Sequence, residues 1–173
     1  MAGATWQIRP ERPEDAAGVA ALNDDGFGPG RFAKSAYRLR EGVAPQCGLN
    51  FVAVENAELL GSVRFWPILV GTDEALLLGP LAVKSQLRGR GVGVALMQHG
   101  IQQARRTDFA AILLVGDEAY YARAGFKRIG GVKFPGPVDR SRILGLTLAR
   151  DVGGDIRRAR IDDPICADGA PLG

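Results

Sequence analysis

Cysteine and histidine are almost absent from this chain, and so is any long apolar run. Cys47, Cys166 and His99 are the whole supply among 173 residues. They lie far apart, with no Cys-x-x-Cys pair and no Cys/His cluster, which excludes a structural zinc site. Two reduced thiols are expected rather than a disulfide. No apolar stretch approaches the ~20 residues that span a bilayer, and Met1 to Arg9 lacks the basic region and apolar core of a signal peptide. The expected setting is cytoplasmic, with no membrane partner.

Clustered charge is missing as well. The net charge is +3, and 18 of the 22 basic residues are arginines spread along the chain. That balance suits one anionic cofactor and falls short of a nucleic-acid footprint, so no specific nucleic acid is expected. Arg105-Arg106 and Arg157-Arg158-Ala159-Arg160 read as solvated faces. The 46% hydrophobic and 24% charged fractions are those of an ordinary globular domain large enough for a real core.

Hydrophobic periodicity and turn residues divide the chain into elements. Thr5 to Arg9 reads as a strand, and Pro13-Glu14-Asp15 opens a helix running to about Leu22. Asn23 to Gly30 reads as a loop, and Arg31 to Arg40 as a second helix. Strands over Leu49 to Val54 and Leu59 to Val70 are joined by Glu55-Asn56-Ala57-Glu58, a hairpin signal. A fourth strand follows at Ala75 to Val83. The next helix spans about Val92 to Arg106, with Val94, Met97, Gln98, Ile101 and Ala104 as its packed face. Ala110 to Val115 is a strand, and a short helix then runs through Ala124 to a Gly125 cap. Phe126 to Ile129 and Ile143 to Leu148 are the last strands. Three hairpin-linked strands in a row exclude a simple doubly wound sheet. The expectation is a mixed α+β (α/β) domain over residues 1–150, with a central mixed sheet of about seven strands and helices on both faces. Residues 151–173 form a partly ordered tail.

The chemistry concentrates in one place. Leu78-Gly79-Pro80-Leu81-Ala82-Val83 runs into Arg88-Gly89-Arg90-Gly91-Val92-Gly93, which opens the long helix. Glycines allow close backbone approach, and free amides at a helix start favour a phosphate. A P-loop is excluded because Val94-Ala95 stands where lysine and a hydroxyl are required. The dinucleotide fingerprint also fails, since its third glycine falls on Val94 or Leu96.

What remains fits Arg/Gln-x-x-Gly-x-Gly/Ala. With Gly116-Asp117-x-x-Tyr120-Tyr121-x-x-x-Gly125-Phe126 about thirty residues later, the chain resembles the GNAT superfamily of acyl-CoA-dependent N-acyltransferases, most closely its YhbS-like branch. The resemblance covers about residues 5–150 and is specific over 76–128. It implies that acetyl-CoA is the co-substrate, lying between the fourth and fifth strands, and that no metal is used. Leu81, Ala82 and Val83 would pair with the pantetheine arm. Arg88, Gly89, Arg90, Gly91, Val92, Gly93 and Val94 would hold the pyrophosphate.

Tyr121, four residues before Gly125, is the implied general acid for the departing thiolate, with Tyr120 as the competing position. No carboxylate stands on the fourth strand between Ala75 and Val83, where many relatives carry a glutamate base. Asp24, Asp25, Glu74, Asp117 and Glu118 are the remaining acids to consider. Phe27, Phe32, Phe65 and Trp66 could line an acceptor pocket, with core packing the simpler role for Phe65. His99 reads as a solvent-edge residue of the long helix. The implied activity is transfer of an acetyl group to an amine by direct attack, in a monomer or homodimer. A non-catalytic acyl-CoA-binding or regulatory module on the same fold is the alternative.

Overall fold

The computed structural model describes residues 5–27 and 35–159. Strand β1 (Gln7–Pro10) leads through a 3-10 turn (Pro13–Asp15) into helix α1 (Ala16–Phe27). The buried Asp15 carboxylate fixes this entry. It accepts two bonds from the Arg9 guanidinium, at 2.7 and 2.9 Å, and one from the Arg12 amide at 2.8 Å. These charge-assisted bonds to a nearly dry carboxylate hold its pKa below the ordinary range.

Helix α2 (Ser35–Arg38) precedes the β2 (Phe51–Glu55) and β3 (Glu58–Val70) hairpin. Its two-residue turn puts Asn56 and Ala57 at φ +49° and +67°, the left-handed pair that matches the twist of the strands. Then come β4 (Asp73–Val83), α3 (Val92–Ala104), β5 (Ala111–Val115) and α4 (Glu118–Tyr121). Four short strands follow: β6 (Lys127–Arg128), β7 (Val132–Lys133), β8 (Ile143–Thr147) and β9 (Gly154–Arg158).

The sheet runs β1-β2-β3-β4-β5-β8-β6, antiparallel except for the β4–β5 pair. Alternation along the strands splits the core. Val63, Phe65, Leu76, Leu78, Ile112 and Leu114 pack under α3 on one face. Trp66, Ile68, Leu77, Leu113 and Ile143 pack on the other, with Leu39. Val19 of α1 covers Val52 and Val54.

The mixed α/β architecture is as expected, with four corrections of detail. Nine strands stand among the described residues where about seven were expected. The additions are short: β7 pairs with β9 over two positions, and β9 pairs with the far end of β3 at Ile68 to Val70. The ordered sheet therefore continues past residue 150, and residues from 160 onward lie outside the described set. Helix α1 continues to Phe27 rather than ending at Leu22, because Leu22 and Asn23 are buried and keep the helix docked on the sheet. The packed face of α3 is Val92, Gly93, Leu96, Met97, Gly100, Ile101 and Ala104. Gln98, expected there, is exposed. Cys47 is disulfide-bonded, not a reduced thiol, and Cys166 lies outside the described residues.

Candidate active site

A parallel strand pair that parts company builds the site. β4 and β5 pair at Leu76 with Ile112 and at Leu77 with Leu113, and no further. Beyond Leu77 the β4 strand goes on to Val83, hydrogen-bonded to β3 on one edge only. At the point of separation the β3–β4 register slips by one residue between the Val63–Leu81 and Phe65–Leu78 pairs. The bulge holds Gly79 at φ +133°, a conformation reserved for glycine. The Trp66 indole N–H donates to the Gly79 carbonyl at 2.6 Å and pins it.

Hydrogen-bond phase decides which β4 groups face the opening. The Lys84 amide donates to the Leu60 carbonyl at 2.8 Å. Bonded and non-bonded pairs alternate in an antiparallel ladder, so Ala82, opposite Ser62, also turns its backbone toward β3. Leu81 and Val83 fall in the other phase and aim their N–H and C=O groups into the gap. Of the three residues expected at the pantetheine arm, two thus offer backbone groups there.

The loop before α3 supplies free donors in the same region. Gly89 and Gly91 sit at φ +82° and +85° with open space where a Cβ would stand, so backbone shape and not crowding calls for glycine. Ala95 makes the first bond of the helix, to the Gly91 carbonyl at 2.9 Å. The amides of Gly89, Gly91, Val92, Gly93 and Val94 therefore have no backbone acceptor among the described bonds. Arg88 and Arg90 differ: their amides donate to Ser85 at 3.3 Å and Leu87 at 3.1 Å. Both residues are exposed. What they can bring to an anion is side-chain charge.

Tyr121 is the last residue of α4, the short helix that follows β5. Asp117 caps α4, its side chain accepting from the Ala119 amide at 3.2 Å, and Gly125 ends the following turn at φ +96°. The Tyr121 ring lies on Gly116, where an added Cβ would meet Cδ2 at 2.9 Å. It stands edge-on to Tyr120 at 5.0 Å and to Phe126 at 6.2 Å. Burial is the main reason its pKa is pushed up to about 12. The nearby Arg142 and Arg40 pull the other way. Arg40 also lies over the Trp66 ring, 5.8 Å from its centroid. These two arginines are neighbours of the candidate acid that sequence reading missed. Neither belongs to a local motif, and only the tertiary fold brings them to Tyr121.

The candidate acids disperse. Glu74 is at the opposite end of β4 from the splay. Asp117 serves as the cap, and Glu118 pairs with Arg128 at 2.5 Å. Asp24 and Asp25 are exposed on α1. Phe65 belongs to the core beneath α3, and Trp66 lies on the other face beside Gly79. The Phe27 side chain and Phe32 fall outside the described residues. His99 is half-buried, edge-on to Phe51 at 4.6 Å, and burial lowers its pKa. Among the described residues no group of His, Cys, Asp or Glu is arranged to hold a metal, and no helix is long and apolar enough to cross a membrane.

The Acetyltransferase (GNAT) family pattern matches residues 16–130. The chain belongs to the GNAT acetyltransferase family. It is 35% identical over 123 residues to the uncharacterized N-acetyltransferase YhbS of Escherichia coli (strain K12), covering 69% of this chain and 72% of that protein. The crystal structure of Escherichia coli YhbS in complex with CoA superimposes with a TM-score of 0.77 at 27% identity, covering 96% of each chain. A GNAT family acetyltransferase from Brucella melitensis in complex with acetyl-CoA gives 0.69 at 28% identity, covering 91% of this chain and 98% of that one. As a member of this family the chain is an acetyl-CoA-dependent N-acetyltransferase.

Proposed function

We propose that acetyl-CoA binds in the splay between β4 and β5 and that a neutral amine attacks its thioester directly, without an acylated enzyme. The observation that carries this reading is the β4 edge left unpaired beyond Leu77, lying beside the free amides that open α3. The pantetheine arm takes the place of the missing strand against Leu81 and Val83, and the Leu81 amide faces the thioester oxygen as its charge develops. The pyrophosphate rests on the amides of Gly89 and of Gly91 to Val94, with the Arg88 and Arg90 guanidinium groups adding positive charge. Tyr121 donates its proton to the sulfur as the C–S bond breaks, and the proton shed by the nitrogen as the amide forms restores the Tyr121 hydroxyl.

The acceptor arrives already deprotonated. No carboxylate faces the opening from β4 to take a proton, and the positive charges of Arg40 and Arg142 beside Tyr121 disfavour an ammonium ion there. The acceptor is an amine of small to moderate basicity, encountered in the cytoplasm. Incubating cell extract with isotope-labelled acetyl-CoA and the enzyme, followed by mass spectrometry, identifies it. The expected result is label on an amine nitrogen that depends on active enzyme. Binding of CoA with no label transferred to any amine would favour a non-catalytic CoA-binding module.

A further inference from the structure

Tyr120 stands at a junction that the proposed chemistry leaves unused. Gly93 is the second residue of α3, and a Cβ built there would collide with the Tyr120 hydroxyl. The next ring atom, Cζ, would stand at 3.5 Å and the Val83 Cγ2 at 3.4 Å, both ordinary contacts. The Tyr120 hydroxyl therefore occupies the space that a missing side chain leaves on the first turn of α3. Through that one side chain α4 reaches the first turn of α3.

The same ring faces Tyr121 at 5.0 Å and 88°. Tyr121 is thus held from behind by Gly116, from one edge by Phe126 and from another by Tyr120. We propose that Tyr120 is a positioning residue for Tyr121, seated by its hydroxyl on Gly93 so that the Tyr121 hydroxyl is aimed into the splay. This rests on Tyr121 acting as the acid. It also gives Gly93 a reason to be glycine that its place in the phosphate loop does not require, since an alanine there would keep its amide. A hydroxyl displaced by about 1 Å from the reacting atom can lose up to ~100-fold in rate.

The test is a rescue. In Gly93→Ala the new methyl takes the hydroxyl's place and pushes the ring. Acetyl-CoA turnover, read as thiol release with a pool of small primary amines, should fall about tenfold in kcat, at a cost of about 1.4 kcal/mol in the barrier. In Gly93→Ala/Tyr120→Phe the colliding atom is gone, and kcat should return to that of Tyr120→Phe alone. Tyr120→Leu, which removes the ring, should lose kcat even with Gly93 intact. The Tyr121 ring signals in carbon-13 tyrosine-labelled protein should move in Gly93→Ala and return in the double variant, independently of turnover. Failure of Phe to rescue Ala in both readouts, or an effect of Gly93→Ala confined to KM for acetyl-CoA, would overturn the proposal. If Tyr121→Phe keeps full kcat, the acid assignment fails, and the ring signals still decide whether Tyr120 positions its neighbour.

Discussion

Burial governs what Tyr121 can do as an acid. Its ring is covered by Gly116, Phe126 and Tyr120, and its pKa lies at about 12 where an ordinary tyrosine lies near 10.0. Handing that proton to a thiolate whose conjugate acid lies near ~8.5 is uphill by roughly 5 kcal/mol. If Tyr121 is the acid, as proposed, the transfer is late, with the hydroxyl hydrogen-bonding the sulfur as its charge builds. A general acid must be protonated, so activity is lost as pH rises through its pKa. A raised value moves that loss out of the working range. The kcat profile should stay level on its alkaline side up to about pH 10, and a half-loss near pH 9 would place the acid elsewhere. The position of Tyr121 was legible from its spacing to Gly125-Phe126. The direction of its pKa was not, since that depends on which rings the fold stacks upon it.

Elements carry constraints that oppose local propensity. In α3, Gly100 costs helix stability in isolation, yet a Cβ there would meet Phe65 Cζ at 2.6 Å. Alanine would gain about 1 kcal/mol of propensity and lose about 1–3 kcal/mol to overpacking. Gly100→Ala is expected to be net destabilising by up to about 2 kcal/mol, read from the urea midpoint. An unchanged or raised midpoint would show that Phe65 yields easily. The β2–β3 turn runs the other way. Ala57 holds φ +67° against its own preference, so Ala57→Gly should stabilise by about 1 kcal/mol in the same assay.

Legibility at this scale followed length. The strands of β2 to β5 and the helix α3 were readable because periodicity and turn chemistry agree over many residues. β6 and β7 have two residues each, too few to show a period, and β9 pairs with the end of β3 that extends beyond β2. The α3 face was misjudged by one position because Gly93 and Gly100 are packed at their missing side chains, which a hydrophobicity pattern does not register.

At the scale of the whole molecule, the proposed function rests on one interrupted pairing. Two paired positions join β4 to β5 before the strands separate, and the proposed site sets the open edge, the glycine loop and Tyr121 around the resulting gap. The strand, loop and helix that bound it were readable from Leu76 to Arg106. The splay was expected only through the family resemblance, and the β4 bulge at Gly79 and the approach of Arg40 and Arg142 were not legible, because each depends on strands and turns distant in sequence.

Steady-state thiol release from acetyl-CoA by the native enzyme and by Tyr121→Phe, at saturating acetyl-CoA with a reactive amine, tests the central claim most directly. The variant should lose at least about 100-fold in kcat, with KM for acetyl-CoA changed by less than about threefold. Full kcat in the variant, or a native enzyme that binds CoA without turning over, would contradict the account.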